Sequence, residues 1–303
     1  MGLTLASIVA PLTADVFMRD YWPRKFYATT ASSDRYHPLY EIPALNSTPL
    51  LLDKYASPVT LLRHDGFHTR VADGRTALPF YRQGFTCYLR DVAKYVPELQ
   101  PIVAGLGREI GLPGSEIKCE LFCSTGVSGA SMHSDYDINF QLILRGHKRW
   151  MVAANENIVN QTSICLPDRL MPPDSLQRKL AHTLPFPEEM PDDAITIDLE
   201  AGGAVFLPRG FWHQTEAIGD CLSLNFVVKG PHWISVLCRA LENELINDAA
   251  WRDFAYGVCG DEARRQEATA SFATLLASFR ETYLQGDCQE LAALLIDKGF
   301  AAG

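Results

Sequence analysis

"GASMHSDYDINFQLILRGHKRW", residues 129–150, decides how this chain is read. It sets His133, Asp135 and Asp137 on alternate positions, runs into an apolar alternation and ends in a basic cluster with a tryptophan. Alternate residues of a β-strand point the same way. His133 and Asp135 therefore aim an imidazole and a carboxylate at one point, and Asp137 shares their face. An H-x-D pair by itself is a common accident of exposed strands. It becomes a candidate metal site only if the fold supplies a third ligand.

The same alternation recurs on both sides of this stretch. "IKCELFCS" (117–124), "INFQLILR" (138–145), "KRWMVAA" (148–154), "ITIDLEAGGAVFLPRGFWHQT" (195–215) and "CLSLNFVVK" (221–229) all show it. "FTCYLRDV" (85–92) reads as a further strand. Period-two strands joined by short turns, one of them placed at Gly146, predict an antiparallel barrel or sandwich. The proline-rich stretch 155–194 reads as a long loop. "TADVFMRDYWPRKFY" (13–27) predicts a helix capped by Thr13 and ending near Pro23. "VPELQPIVAGLGREIGL" (96–112) predicts an amphipathic helix closed by Gly111 and Pro113. From 231 onward the pattern is helical. The expected organisation is a β-core domain with an N-terminal helical edge over 1–230 and a C-terminal helical segment over 231–303.

Composition narrows the function. Hydrophobic residues make up 47% of the 303 and charged residues 21%, as in an ordinary globular protein. A formal net charge of −9 argues against general nucleic-acid binding, which favours basic surfaces. The eight cysteines are scattered, with no C-x-x-C pair, and read as free thiols of a reducing compartment. The first residues carry no basic leader, and no run of 18 apolar residues exists to span a membrane. The expectation is a soluble, cytoplasmic protein.

His213 is the best third ligand. It lies 78 positions after Asp135 (213 − 135), after the turn at Pro208–Gly210, where a new strand begins. Two histidines and one carboxylate leave three positions open on a metal, as in the facial triad of non-haem Fe(II) oxygenases. A zinc hydrolase can use the same donors. His147 in the Gly146 turn, His182 in the proline-rich stretch and His232 ahead of the helices are weaker candidates. Tyr136 and Trp212 flank the ligands, as pocket lining or as packing.

"MHSDYDINFQLILRGHKRWMV" and "GGAVFLPRGFWHQ" together resemble the JmjC and JmjC-like cupin oxygenases, over roughly residues 85–229. The pattern is most similar to the protein-hydroxylase, ribosomal-oxygenase-like branch, whose entry helix "FMRDYWPRKFY" also resembles. The resemblance implies a mainly β double-stranded β-helix (cupin or jelly-roll) core. It implies Fe(II), 2-oxoglutarate as co-substrate and O2. The expected reaction is hydroxylation of a C–H bond in an amino-acid side chain, a peptide or a small natural-product-type molecule, with succinate and CO2 as co-products. The family's metal triad falls on His133, Asp135 and His213.

The family's cation for the distal carboxylate of 2-oxoglutarate falls on Lys148 in "RGHKRW", fifteen positions after His133 (148 − 133). Arg149 and Arg145 are its substitutes. Lys148 and Trp150 share a strand face, and Arg149 points away. Asn139 and Asn225 fall on asparagines that hydrogen-bond the co-substrate. The helices after 230 suggest pairing into a homodimer. The 73 residues that follow Gly230 (303 − 230) leave hardly any room for the winged-helix module that the ribosomal-oxygenase branch also carries. A non-redox metal-binding cupin, such as an isomerase, a sensor or a binding protein, is the alternative. A degenerate interaction module is a third reading.

Overall fold

The computed structural model describes residues 2–30, 32–63, 68–283 and 287–300. The chain divides into two compact units, Met1–Gly230 and Pro231–Gly303. The first unit is built on ten strands: β1 (Tyr27–Thr29), β2 (Val59–Leu62), β3 (His68–Val71), β4 (Thr86–Leu89), β5 (Ile117–Ser128), β6 (His133–Ser134), β7 (Ile138–Ala153), β8 (Ile195–Glu200), β9 (Ala204–Leu207) and β10 (Trp212–Val228). They follow the order β1-β9-β7-β10-β5-β4-β2-β3, with β6 on β10 and β8 on β7. Every pairing is antiparallel. The architecture is the mainly β cupin or jelly-roll core expected, with helices before and after it.

The long strands β5, β7 and β10 are two-faced, and that is why their sequences alternate. On one face Cys119, Leu121, Phe140, Leu142, Leu222, Leu224 and Phe226 join the main core with N-terminal residues such as Phe17, Leu39 and Leu52. Each fully buried Leu or Phe contributes about 1.5–3 kcal/mol relative to exposure, so this face holds the sheet together. On the other face Glu120, Phe122, Asn139, Gln141, Ser223 and Asn225 line a cavity. The polar half of the alternation is thus directed inward, onto the site, rather than into solvent.

The Gly146 turn is not formed. β7 runs unbroken for sixteen residues, Ile138–Ala153. Gly146 instead sits in an irregular stretch of the ladder, where the register against β10 shifts between Ile218 and Leu222 and again between Leu222 and Ser223. Its φ is +79°. A Cβ there would run into the backbone carbonyl of Asp220, so glycine is required on both counts. Gln141 and Lys148 are seven apart and would face opposite ways in a regular strand. The irregularity changes the parity, so that both face the cavity.

Other elements depart in extent. β6 ends at Ser134, so Asp135 lies just beyond the strand, ahead of a bend at Tyr136 and Asp137. The first long helix covers Ala14–Asp20, with Thr13 capping the Val16 amide, and gives way before Pro23 so that β1 can pair with β9. Pro97–Leu99 is a 3₁₀ turn that leads into the helix Gln100–Ile110, closed by Gly111 at φ +75°. β1, β2 and β3 lie N-terminal to the expected β-core and add to its sheet. Residues 155–194 are more than a loop. They hold a short helix, Leu176–Leu180, and a satellite core of Ile158, Cys165, Met171 and Phe186 packed with Met132, Ala153 and Trp212.

All eight cysteines are free, and five of them are buried. The second unit consists of helices Trp233–Leu245, Glu262–Tyr283 and Cys288–Phe300. Lys298 bridges to Glu244 at 2.9 Å and the Asn243 amide donates to the Lys298 carbonyl at 2.8 Å, tying the third helix to the first. Among the described residues no helix is long and apolar enough to cross a membrane.

Candidate metal centre

Pairing of β6 with β10 places His133 directly across from His213. Their ring centroids are 4.2 Å apart. Asp135 closes the triangle: its Oδ1 is 3.7 Å from His133 Nε2 and its Oδ2 is 3.7 Å from His213 Nε2. One ligand atom from each residue lies within 4.8 Å of the others. Both histidines anchor Nδ1 on a carbonyl two residues back, His133 on Ser131 at 2.7 Å and His213 on Phe211 at 3.1 Å. A carbonyl only accepts, so each Nδ1 carries a proton and each Nε2 faces Asp135. Burial, and then neighbouring His133, pushes His213 down to about 4, which keeps that ring neutral. Two imidazoles and a carboxylate on one point form a donor set that fits Fe(II) and its first-row neighbours.

Asp135 is itself held. Asn139 Nδ2 donates to Asp135 Oδ2 at 3.3 Å, and Asn225 Nδ2 donates to Asn139 Oδ1 at 2.9 Å. A carboxylate only accepts, so the direction of both amides follows from Asp135 outward. Asn225 Oδ1 is left buried without a partner.

Lys148 is 4% exposed and its Nζ donates to Gln141 Oε1 at 2.8 Å. The ammonium stands 4.9 Å from the Phe122 ring centre and 5.2 Å from that of Trp150. No carboxylate lies within ion-pair distance of it among the described residues. Burial pushes its pKa down to about 8. A buried cation without a counter-charge is costly, and an anion in the cavity would relieve it. Ser223 Oγ and Trp150 Nε1 are also buried without partners in the same lining. The triad and Lys148 line one cavity of about 810 Å³. That chemistry, ligands for a metal and a cation with spare donors, fits a metal-chelated dicarboxylate such as 2-oxoglutarate.

Arg145 is bound to Asp220 at 2.8 Å and Arg149 to Asp198 at 2.9 Å, so of these three cations only Lys148 faces the cavity. Asp137 takes Lys229 at 3.0 Å instead of joining the triad. Tyr136 lines the cavity, and Lys229 lies 5.7 Å from the centre of its ring. Trp212 is buried against Phe186, away from the cavity. His147 lies within β7, not in a turn, and meets Asp198 at 3.1 Å. Ile164 and Leu166, from the proline-rich stretch, form part of the wall. Gln141, Ser223 and Glu120 escaped the sequence reading. The first two lie two residues from Asn139 and Asn225 on the same strand faces, which is the signal that would have found them.

Fold and site together give a cupin-like β-core that carries a candidate two-histidine, one-carboxylate centre. Residues 90–227 match the cupin-like domain family. The chain is 27% identical over 260 residues to the uncharacterized protein YxbC of Bacillus subtilis (strain 168), across 83% of this chain and 78% of that protein. It is 24% identical over 236 residues to the bifunctional lysine-specific demethylase and histidyl-hydroxylase NO66 of Drosophila persimilis, across 74% of this chain but only 31% of that protein. The structure of the Escherichia coli ribosomal oxygenase YcfD with cobalt and succinic acid aligns with a TM-score of 0.52 at 13% identity, over 90% of this chain and 68% of that one. YcfD with cobalt and 2-oxoglutarate aligns with a TM-score of 0.51 at 15% identity, over 88% and 67%. The resemblance to JmjC-like cupins is borne out, and the structural likeness establishes the shared fold.

Proposed function

We propose that this protein is an Fe(II)- and 2-oxoglutarate-dependent oxygenase that hydroxylates a C–H bond of an amino-acid side chain, a peptide or a small natural-product-type molecule. One observation carries the reading: His133, Asp135 and His213 converge in the same cavity as Lys148, a buried cation with no counter-charge among the described residues. The activities named for NO66 and YcfD belong to the same broad reaction class and support it.

In this reading His133, Asp135 and His213 hold the metal. Lys148, kept in place by Gln141, receives the distal carboxylate of 2-oxoglutarate, with Ser223 and Trp150 as further donors. Asn139 and Asn225 fix Asp135, and their remaining amide hydrogens serve the co-substrate. Fe(II) with 2-oxoglutarate and O2 supplies the oxidising power for C–H hydroxylation, releasing succinate and CO2. The walls around the metal keep bulk water from the reacting atoms. The non-redox cupin reading gives Lys148 no dicarboxylate to hold.

Anaerobic titration with Fe(II) and 2-oxoglutarate tests the proposal. The expected result is the weak visible charge-transfer band of the chelate, absent in His133→Ala. Absence of the band in the unaltered protein, together with no succinate formed in air, overturns the reading.

A further inference from the structure

We propose that Cys221 is a covalent modification site, at which the thiol adds to an α,β-unsaturated dicarboxylate held by Lys148. The proposal shares with the oxygenase reading the assignment of a carboxylate to Lys148, but it needs neither metal nor turnover.

Cys221 differs from the other buried cysteines. Cys87, Cys119 and Cys123 pack into the main core, and Cys165 into the satellite core. Cys221 belongs to neither and lines the cavity. It closes the irregular stretch of β10, where Gly219, Asp220 and Cys221 have no partner in the β7 ladder. On its other side it pairs with Ser124 of β5. The thiol is free and has no hydrogen-bond partner among the described residues. It is 2% exposed, so only a molecule seated in the cavity can reach it.

Lys148 is the charge that acts on this thiol. Burial pushes Cys221 up, and the Lys148 ammonium is the strongest of the charges that pull it back towards the reactive thiolate. Cys221 in turn favours the charged form of Lys148. Two further groups mark the place as one for an anion. Ser223, two residues on along β10, is 1% exposed and its Oγ lacks a partner. Trp150, whose ring centre lies 5.2 Å from the ammonium, has a buried Nε1 that also lacks one. All of these line the same cavity. A carboxylate satisfies the cation and both donors, which the uncharged thiol alone does not.

A dicarboxylate seated there carries its carbon chain past Cys221. Where that chain holds a C=C bond conjugated with the carboxyl groups, sulfur attacks one alkene carbon. A C–S bond forms, the π bond breaks, and the thiol proton ends on the neighbouring carbon. No oxidant is consumed. The adduct keeps both carboxylates, so it stays beside the ammonium and fills the place given to 2-oxoglutarate.

The competing explanation is that Cys221 only fills space beside the irregular stretch. Peptide mass spectrometry on the full-length, metal-free protein separates the two. Fumarate is the charged probe and its dimethyl ester the neutral one. Exposed Cys238, Cys259 and Cys288 are internal standards, which cancel the intrinsic reactivity of each probe. Fumarate is expected to label Cys221 at least about tenfold faster than any of the three, the scale of one charged hydrogen bond. The ester is expected to label the exposed thiols first. Succinate, which has no C=C bond to react, is expected to protect Cys221 alone. Lys148→Met, shown to be folded by its melting curve, is expected to lose the preference for Cys221.

No fumarate adduct at Cys221, or one formed no faster than at the exposed thiols, overturns the proposal. So does the same selectivity with the ester, labelling that succinate does not slow, or labelling that Lys148→Met leaves unchanged. Failure of the Fe(II) and 2-oxoglutarate titration with selective labelling intact would sink the oxygenase reading alone.

Discussion

At the scale of single residues, the cavity trades stability for chemistry. Lys148 ordinarily titrates near 10.5, and burial pushes it down to about 8 in the folded chain. Between those values the unfolded chain binds more protons than the folded one, so stability rises as pH climbs from about 8 to 10.5. Below 8 the charged form is present and its burial cost is carried in full. Lys148→Met should therefore raise Tm by about a few degrees at pH 7, lose that advantage above pH 10, and abolish 2-oxoglutarate binding. Melting curves at the two pH values with equilibrium dialysis of the co-substrate check it. A variant that is less stable at pH 7, or that still binds 2-oxoglutarate, contradicts the role given to this lysine.

Glu120 has the opposite sign. Its folded value of about 7 lies above the ordinary 4.5, so the folded chain holds more protons between those values and stability falls as pH rises through that window. Glu120→Gln removes this term. Its Tm should match that of the unaltered protein at pH 4 and exceed it at pH 8. Equal melting temperatures at pH 8 would show that the buried carboxylate carries no such cost.

At the scale of elements, β7 is the decisive strand. Its alternation was legible because one face is apolar core and the other a polar cavity. Its continuity was not. Glycine followed by His147, Lys148 and Arg149 has the composition of a turn, and nothing local shows that the ladder to β10 continues past it. Gly146→Val should cost about 2 kcal/mol or more, combining a forbidden φ with a steric collision on the Asp220 carbonyl. Urea unfolding measures it. A second consequence follows from parity: whatever refolds should misplace Lys148 and bind 2-oxoglutarate weakly even where the chain stays folded. Wild-type stability with unchanged 2-oxoglutarate affinity would show that the irregularity at Gly146 sets neither.

At the scale of the molecule, the second unit leaves apolar side chains uncovered. On helix Trp233–Leu245, Trp233 is 77%, Ile234 76% and Leu237 45% exposed. These lie at helical spacing on one side, and such a stripe calls for a partner. The proposed partner is a second copy of the chain. Light scattering should report twice the 33.7 kDa chain mass, and Trp233→Glu combined with Ile234→Lys should reduce it to one copy. A monomeric unaltered protein at tens of micromolar would rule this out.

The sequence by itself determined the class of fold and the identities of the three converging donors. Period-two patterning is local, and a strand's alternation reports directly which residues share a face. His133 and Asp135 stood out by their spacing and His213 by the strand it opens, and the resemblance joined the three. The tertiary structure decided everything that depends on which strands meet. It placed His213 across from His133 through the β6–β10 register, and it turned Asn139 and Asn225 into a brace for Asp135. It also brought Gln141 under Lys148 across an irregularity, and set Glu120 beside Asn225 on one cavity wall. Those relations join residues up to 105 positions apart (225 − 120), and a hydrogen bond across a barrel leaves no periodic trace in either strand.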